Sequence, residues 1–442
     1  METVVVYSPA NSTRLKFVLD WVLRERMHIN YTITTNEAEV ADLPFFISYG
    51  KALPKSISIP DEQLLWGSGI QKQDPKTGSW HNIPTLFESA GKECTLPFDM
   101  FSAVFFLLSR YEEYYAHKAD KHGRYPATQS ILYKKSWLQR PLVDEWITTF
   151  RKQLVSASGM HIAATHFMFQ PTYDIDMAYS HLYKGVGRIM GAYVRALLKG
   201  DVKQINERTL VLKKKQKDPY DSFRWLRQLH KQYELKPLYF VLCSFRTTLY
   251  DKNVHPEHPA MMRVIKNLAK EGTIGTHPSY YHEHRNVMEN EKRVLEQVSG
   301  KTVHISRQHY MRVKLPHTYR MLQEKGITED YSMGYGSHLG FRAGTGNSFH
   351  WYDVEKEEIM PLRIYPFCFM DTTAHYESKL SVAEAFAKLD AMAAKLRQTG
   401  STMITVFHNF SLGTSAEWKG WRNAYDHFIR EQAAALAHHN VV

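Results

Sequence analysis

From residue 165 onward, short apolar runs alternate with segments of helical spacing, and this alternation limits the fold more tightly than any other feature of the chain. The runs fall at 166–173, 237–243, 273–277, 302–306, 327–333, 361–367 and 402–408. Helical patterns fall at 219–234, 258–271, 286–298, 316–325 and 382–398. In the last of these Val382, Phe386, Leu389, Ala393 and Leu396 share one face, and Gly400 supplies the stop. Sustained alternation of this kind predicts an α/β fold with parallel strands and helices outside them. Seven strand candidates fit a barrel of seven or eight strands better than a small open sheet. In such barrels chemistry gathers at the C-terminal ends of the strands.

The first 160 residues follow a different rhythm. Residues 3–7 read as a strand, 12–26 as a helix with Leu15, Val18, Leu19, Val22 and Leu23 on one face, and 29–34 and 43–48 as further strands. The stretch 56–88 is turn-rich, 98–117 is the strongest helix of this half, and 141–156 is another. The pattern predicts an N-terminal mixed α/β domain over 1–160, joined to a barrel over 165–442. The front half holds no catalytic constellation. Its aromatic segments 98–115 and 125–146 are expected to bury against the barrel and shape one wall of a groove.

The strand ends share a chemical character. The first gives Asp174 and Asp176, which lie on the same side of an extended chain because side chains alternate with a period of two. Two carboxylates so placed repel unless a metal ion or an arginine absorbs the charge, or one keeps a proton. Later ends give His277 and His282, then Arg307, His309 and Tyr310, then Asp330, with Arg342 following, and finally His408. Carboxylates, histidines and arginine recurring at one end of one barrel point to a metal site. Asp330 and Arg342 are counted as candidate substrate contacts.

Composition narrows the partners. The 442 residues carry a formal charge of +11, which permits an anionic partner. The basic run Lys213-Lys214-Lys215-Gln216-Lys217 is short, flanked by Asp218 and Pro219, and reads as a solvated loop, so no nucleic-acid partner is expected. Cys94, Cys243 and Cys368 are too scattered for a disulfide framework, and Cys243, inside a strand pattern, reads as inert core. The N-terminus lacks the basic start and apolar stretch of a signal peptide, and the apolar segment 98–108 is too short to span a bilayer. The expected location is cytoplasmic, with no transmembrane segment. Oligomeric state is not legible.

The order Thr172-Tyr173-Asp174-x-Asp176, then His277-Pro278-Ser279, then Arg307-x-x-Tyr310, then a late strand ending in His408, resembles the polysaccharide deacetylase superfamily. These are carbohydrate esterases with the chitooligosaccharide deacetylase homology domain. The resemblance covers about 165–420; the front half resembles an uncharacterised domain that precedes such modules in some bacterial proteins. It implies a distorted (β/α) barrel and metal-assisted hydrolysis of an N- or O-acetyl group on a carbohydrate or related small amide. The implied partner is an acetylated carbohydrate, and the implied cofactor a divalent metal. An Asp/His ligand set favours zinc among the ions that include cobalt, nickel, manganese and iron.

Carried over position by position, the resemblance makes Asp174 the general base, Asp176 and His277 metal ligands, and Arg307 the residue that steadies Asp174. The Tyr310 backbone N–H would help hold the oxyanion, and His408 would be the general acid. The pattern's second histidine is Tyr281 here, and His282 lies about 140° from His277 around an ideal helix. His309, at a different strand end, faces the same centre without distortion and is the expected third ligand, with His282 as the alternative. A second reading of the altered spacing is a non-catalytic carbohydrate-binding module on a degenerate deacetylase barrel.

Overall fold

The computed structural model describes residues 2–89, 93–283 and 286–439. The chain opens with β1 (Thr3–Tyr7) and α1 (Thr13–Leu19), which continues as a π-wound segment over Asp20–Arg26. Then come β2 (Asn30–Thr34), β3 (Phe46–Tyr49) and β4 (Ser56–Ile59), forming a parallel sheet in the order β2-β1-β3-β4. A hairpin of β5 (Thr77–Trp80) and β6 (Ile83–Leu86) precedes α2 (Met100–Leu108). Every residue of α2 is buried, as a helix apolar on all sides must be. Its cap, Asp99, accepts the Ser102 N–H at 2.9 Å and the Tyr49 hydroxyl at 3.0 Å.

The sequence reading carried this helix to 117. It ends at Leu108 because Arg110 adopts a left-handed backbone, φ 55°, and reaches Glu112 and Glu113 at 2.9 and 2.8 Å. Two helices follow, the short α3 (Ile131–Lys134) and the long α4 (Leu142–Ser158), which stops at Gly159 with φ 70°.

The back half begins with β7 (Met168–Ile175) and then a helical hairpin, α5 (Val186–Leu198) and α6 (Val202–Leu212), where the sequence reading placed no helix. The alternation then runs α7 (Phe223–Gln232), β8 (Leu238–Val241), α8 (Pro259–Glu271), β9 (Thr273–Thr276), α9 (Val287–Ser299), β10 (Ile305–Ser306), α10 (His317–Glu324) and β11 (Glu329–Met333). After it come β12 (Phe349–Asp353), β13 (Glu358–Pro366), β14 (Phe369–Met370), α11 (Val382–Thr399), β15 (Thr402–His408) and α12 (Trp421–His439). The strands form one nine-stranded sheet, β12-β13-β11-β10-β9-β8-β7-β15-β14. All neighbours are parallel except β12 and β13, a pair that the β/α reading does not contain.

The sheet curls on itself. Phe367 donates its N–H to Met333 O on β11 at 3.1 Å, and the next residue, Cys368, donates to Ile404 O on β15 at 3.3 Å. Consecutive residues thus bond to both flanks, enclosing an inner cluster that includes Phe240, Ile305, Tyr331, Phe367, Ile404 and Val406. Alternate residues on the same strands, such as Tyr173, Tyr239, Val241 and Phe407, face the helices in a second core.

The main core of the front region is continuous with part of the nine-stranded sheet, and a small cluster of Tyr7, Val40 and Phe46 belongs to the front region alone. Phe17, Phe105 and Trp146 belong to the same cluster as Trp351, Tyr352, Leu362 and Ile364. Phe105 meets Tyr352 at 5.0 Å between ring centroids, and Trp21 Nε1 donates to Ser348 O at 2.9 Å. A buried ion network adds to this junction: Glu113 accepts from Arg110 Nε at 2.8 Å and from Arg342 Nε at 2.9 Å. No helix among the described residues is long and apolar enough to cross a membrane.

Candidate active site

The site lies where the parallel strands end. On β7 the outward residues Tyr173 and Ile175 pack under helices, so Thr172, Asp174 and Asp176 point the other way. Asp174 is paired in register with His408 of β15. Arg307, just past β10, is fully buried and lies 4.3 Å over the Phe240 ring. Its Nη1 donates to Asp174 Oδ1 and to Thr172 Oγ1, each at 2.8 Å, and its Nε to Tyr331 O at 2.9 Å. These bonds fix the carboxylate of Asp174 beside a permanent positive charge.

Asp176 is the meeting point of three imidazoles. His277 Nε2 lies 3.1 Å from its Oδ1, and His309 Nε2 and His408 Nε2 each lie 3.5 Å from its Oδ2. Each ring is held from its far side by Nδ1: His277 to Arg307 O at 2.7 Å, His309 to Asp251 Oδ1 at 3.2 Å, and His408 to Asp371 Oδ1 at 2.6 Å. A carbonyl oxygen only accepts, so the His277 Nδ1 carries a proton and Nε2 is the atom that faces Asp176.

The electrostatics follow from this crowding. Burial opposes charge on His309, but Asp176 and Asp251 on either side outweigh it and push the imidazole up to about 9. Burial likewise opposes charge on His408, and Asp371 and Asp176 hold it well above the ordinary range. Asp176 is held well below the usual carboxylate range, because His309 and His277 overcome the effect of its burial.

Asp176, His277 and His309 present ligand atoms that all lie within 4.8 Å of one another. Their environment fits a divalent cation. Asp176 Oδ1 is buried without a hydrogen bond and lies 3.1 Å from His277 Nε2, two ligand atoms that a cation would complete. Both histidines donate Nδ1–H to a fixed oxygen, the arrangement that orients imidazole ligands toward a metal.

His282 stays outside this group. It is buried, its Nδ1 donates to Ser279 O at 2.9 Å, and burial lowers its basicity. Asp330 and Arg342, expected among the substrate contacts, are also elsewhere. Tyr331 points into the inner cluster, so its neighbour Asp330 faces outward, where it accepts from Ser306 and Ser332 hydroxyls at 2.8 and 2.9 Å. Burial raises Asp330 to about 6. Arg342 is committed to Glu113 in the junction with the front region.

A cavity of about 270 Å³ opens over Asp174, Asp176, His277, His309 and His408. Tyr310 lines it in a left-handed conformation, φ 57°. The front region supplies part of the wall: Arg124 Nη1 donates to Tyr310 O at 2.7 Å, and His122 Nδ1 meets the Tyr280 hydroxyl at 3.0 Å. Tyr250 and Tyr280 stack beside them, centroids 3.8 Å apart, giving the mouth an aromatic side.

Four residues at the site escaped the sequence reading. Asp251 and Asp371 hold histidines from 58 and 37 positions away, and neither belongs to a motif. Asp371 follows the two-residue strand β14, a signal too short to read. His122 and Arg124 come from a loop of the front half, where only a general packing role was expected.

Residues 4–158 match a family of unknown function, DUF7033. No characterised protein matches the chain significantly in sequence. Among solved structures, a polysaccharide deacetylase-like protein from Mycobacterium smegmatis is similar at 14% identity and TM-score 0.39, over 62% of this chain and 85% of its own. The polysaccharide deacetylase Bc1974 from Bacillus cereus is similar at 12% identity and TM-score 0.30, over 60% and 88%. PuuE allantoinase is similar at 12% identity and TM-score 0.39, over 61% and 84%.

Proposed function

We propose that the protein is a metal-dependent hydrolase that removes an N- or O-linked acetyl group from a carbohydrate or a related small amide. The observation that carries this reading is the convergence of Asp176, His277 and His309 next to two further pairs, Asp174–Arg307 and His408–Asp371. A divalent ion at these three ligands, with zinc favoured, supplies positive charge that eases deprotonation of water and polarises an acetyl carbonyl.

The chain's own groups divide the remaining work. Asp174, with one oxygen engaged by Arg307, takes the proton from the attacking water through the other. His408, kept protonated by Asp371 and Asp176, delivers a proton from Nε2 to the departing amine or alkoxide. The Tyr310 N–H is assigned to the oxyanion. The aromatic side formed by Tyr250, Tyr280 and Tyr310 suits the apolar face of a sugar ring. Neither acid nor base is needed merely to hold a glycan, which favours an enzyme over a binding module.

The test is acetate release from acetylated chitooligosaccharides and acetylated xylan by zinc-loaded protein. Release that falls roughly 10²–10⁴-fold in Asp174→Asn, with metal retained, is the expected result. Glycan binding with no acetate release from any of the substrates contradicts it and leaves a carbohydrate-binding module.

A further inference from the structure

A second cavity, of about 590 Å³, adjoins the first and shares Met177, Tyr220 and Lys252 with it. Its wall carries five cations, Lys184, Arg188, Arg195, Arg208 and Lys252. Nearby acids are already engaged. Glu207 pairs with His181 Nε2 at 2.8 Å, and Asp218 accepts the backbone N–H groups of Ser180, His181 and Leu182 at 2.8, 2.9 and 3.0 Å. Among the described residues none of the five cations forms an ion pair with a carboxylate.

Two buried nitrogens in the same wall lack partners. Arg208 is 7% exposed with Nη1 unsatisfied, and His181 is 6% exposed with Nδ1 unsatisfied. Of the two, Arg208 Nη1 is a buried charged donor without an acceptor, which is costly and which a ligand oxygen would complete. Burial, with Arg188 and Lys252 nearby, pushes Lys184 down to about 8 even though Asp218 acts in the opposite direction. Like charges gathered this closely, none of them ion-paired among the described residues, favour an anion among them.

We propose that this cavity is an anion subsite for a phosphoryl group on the substrate, whose acetylated sugar reaches past Met177 and Tyr220 to Asp176. The path of the acetylated sugar to Asp176 rests on the deacetylase reading, and the anion subsite does not. Several oxygens around one phosphorus can engage separate arginine forks and an ammonium group at once. The hairpin that carries Arg188 and Arg195 also exposes Val186, Met190, Val194 and Leu197, spaced along one side of α5. The phosphoryl group therefore has two sources: a phosphosugar in solution, or the phosphate of a lipid whose chains lie along that apolar stripe.

Calorimetric titration of the full-length protein with inorganic pyrophosphate tests the subsite. Arg188 and Arg195 are exposed, so R188E/R195E retains the fold, and R188K/R195K keeps the charge. Binding that weakens roughly tenfold or more in R188E/R195E and persists in R188K/R195K is expected. The difference between wild type and R188E/R195E isolates the subsite from any anion held at a metal. Co-sedimentation with phosphatidylcholine vesicles, with and without about one third phosphatidylglycerol, distinguishes the sources. Capture by the anionic vesicles that is lost in V194D/L197D assigns the lipid phosphate, and its absence beside intact pyrophosphate binding assigns the soluble one. No pyrophosphate binding by wild type, or equal binding by R188E/R195E, overturns the subsite. Metal content of the same samples judges the deacetylase reading separately.

Discussion

Asp371 holds His408 at two points: its Oδ1 takes the Nδ1–H at 2.6 Å and its Oδ2 takes the backbone N–H at 2.7 Å. The ring therefore has one orientation, with Nε2 aimed at the space above Asp176. The same carboxylate stabilises the imidazolium, against the opposing effect of burial.

Asp371 thus positions and charges the proposed acid. Asp371→Asn is expected to lower turnover about 10²-fold or more. It also removes the charge that raises His408, so the protonated form is lost at lower pH. The alkaline limb of the rate profile should move toward acid, most visibly with poor leaving groups. An unchanged profile in a folded variant would sink the assignment of His408 as acid.

Asp251 plays the corresponding part for His309, accepting its Nδ1–H at 3.2 Å while Thr248 and the Tyr280 N–H fix the carboxylate at 2.8 and 2.9 Å. Asp251→Asn should weaken metal binding about 10–100-fold without abolishing it. Competition against a chromogenic chelator measures this directly. Wild-type affinity in the variant would separate His309 from the metal.

Much of this arrangement is legible in the sequence, and the boundary has physical reasons. The period of two placed Asp174 and Asp176 on one side of β7, and strand-end position grouped His277, Arg307, His309 and His408. The same period, applied from the aromatic Tyr331, turns Asp330 away from the cavity; strand-end position alone was too coarse. Asp251, Asp371 and the His122–Arg124 loop act across long separations in sequence, where no local pattern marks them. The helix expected to reach 117 stops at Leu108, where Arg110 turns into a left-handed backbone and Glu113 is tied to the distant Arg342, contacts that helical spacing does not reveal.

Glu113 offers a test of how the front region is tied to the sheet. Arg110 and Arg342 overcome its burial and hold it at about 2, against 4.5 for an ordinary glutamate. A depressed carboxylate contributes stability that is fully present above about 4.5 and lost as pH falls toward about 2. Glu113→Gln leaves two buried guanidinium groups short of a counter-charge and should cost about 3–5 kcal/mol at neutral pH. Its denaturation midpoint should also vary less than that of wild type between those two pH values. Identical acid unfolding curves would show that the network does not stabilise the junction.

Asp176, His277 and His309 together are proposed to hold a divalent metal. Elemental analysis of wild type, His309→Ala and His282→Ala, each loaded with zinc and desalted, tests it most directly. About one equivalent is expected in wild type and in His282→Ala, and little in His309→Ala, since three protein ligands are usual for a catalytic zinc. An empty wild type, or loss of metal in His282→Ala with retention in His309→Ala, would contradict it.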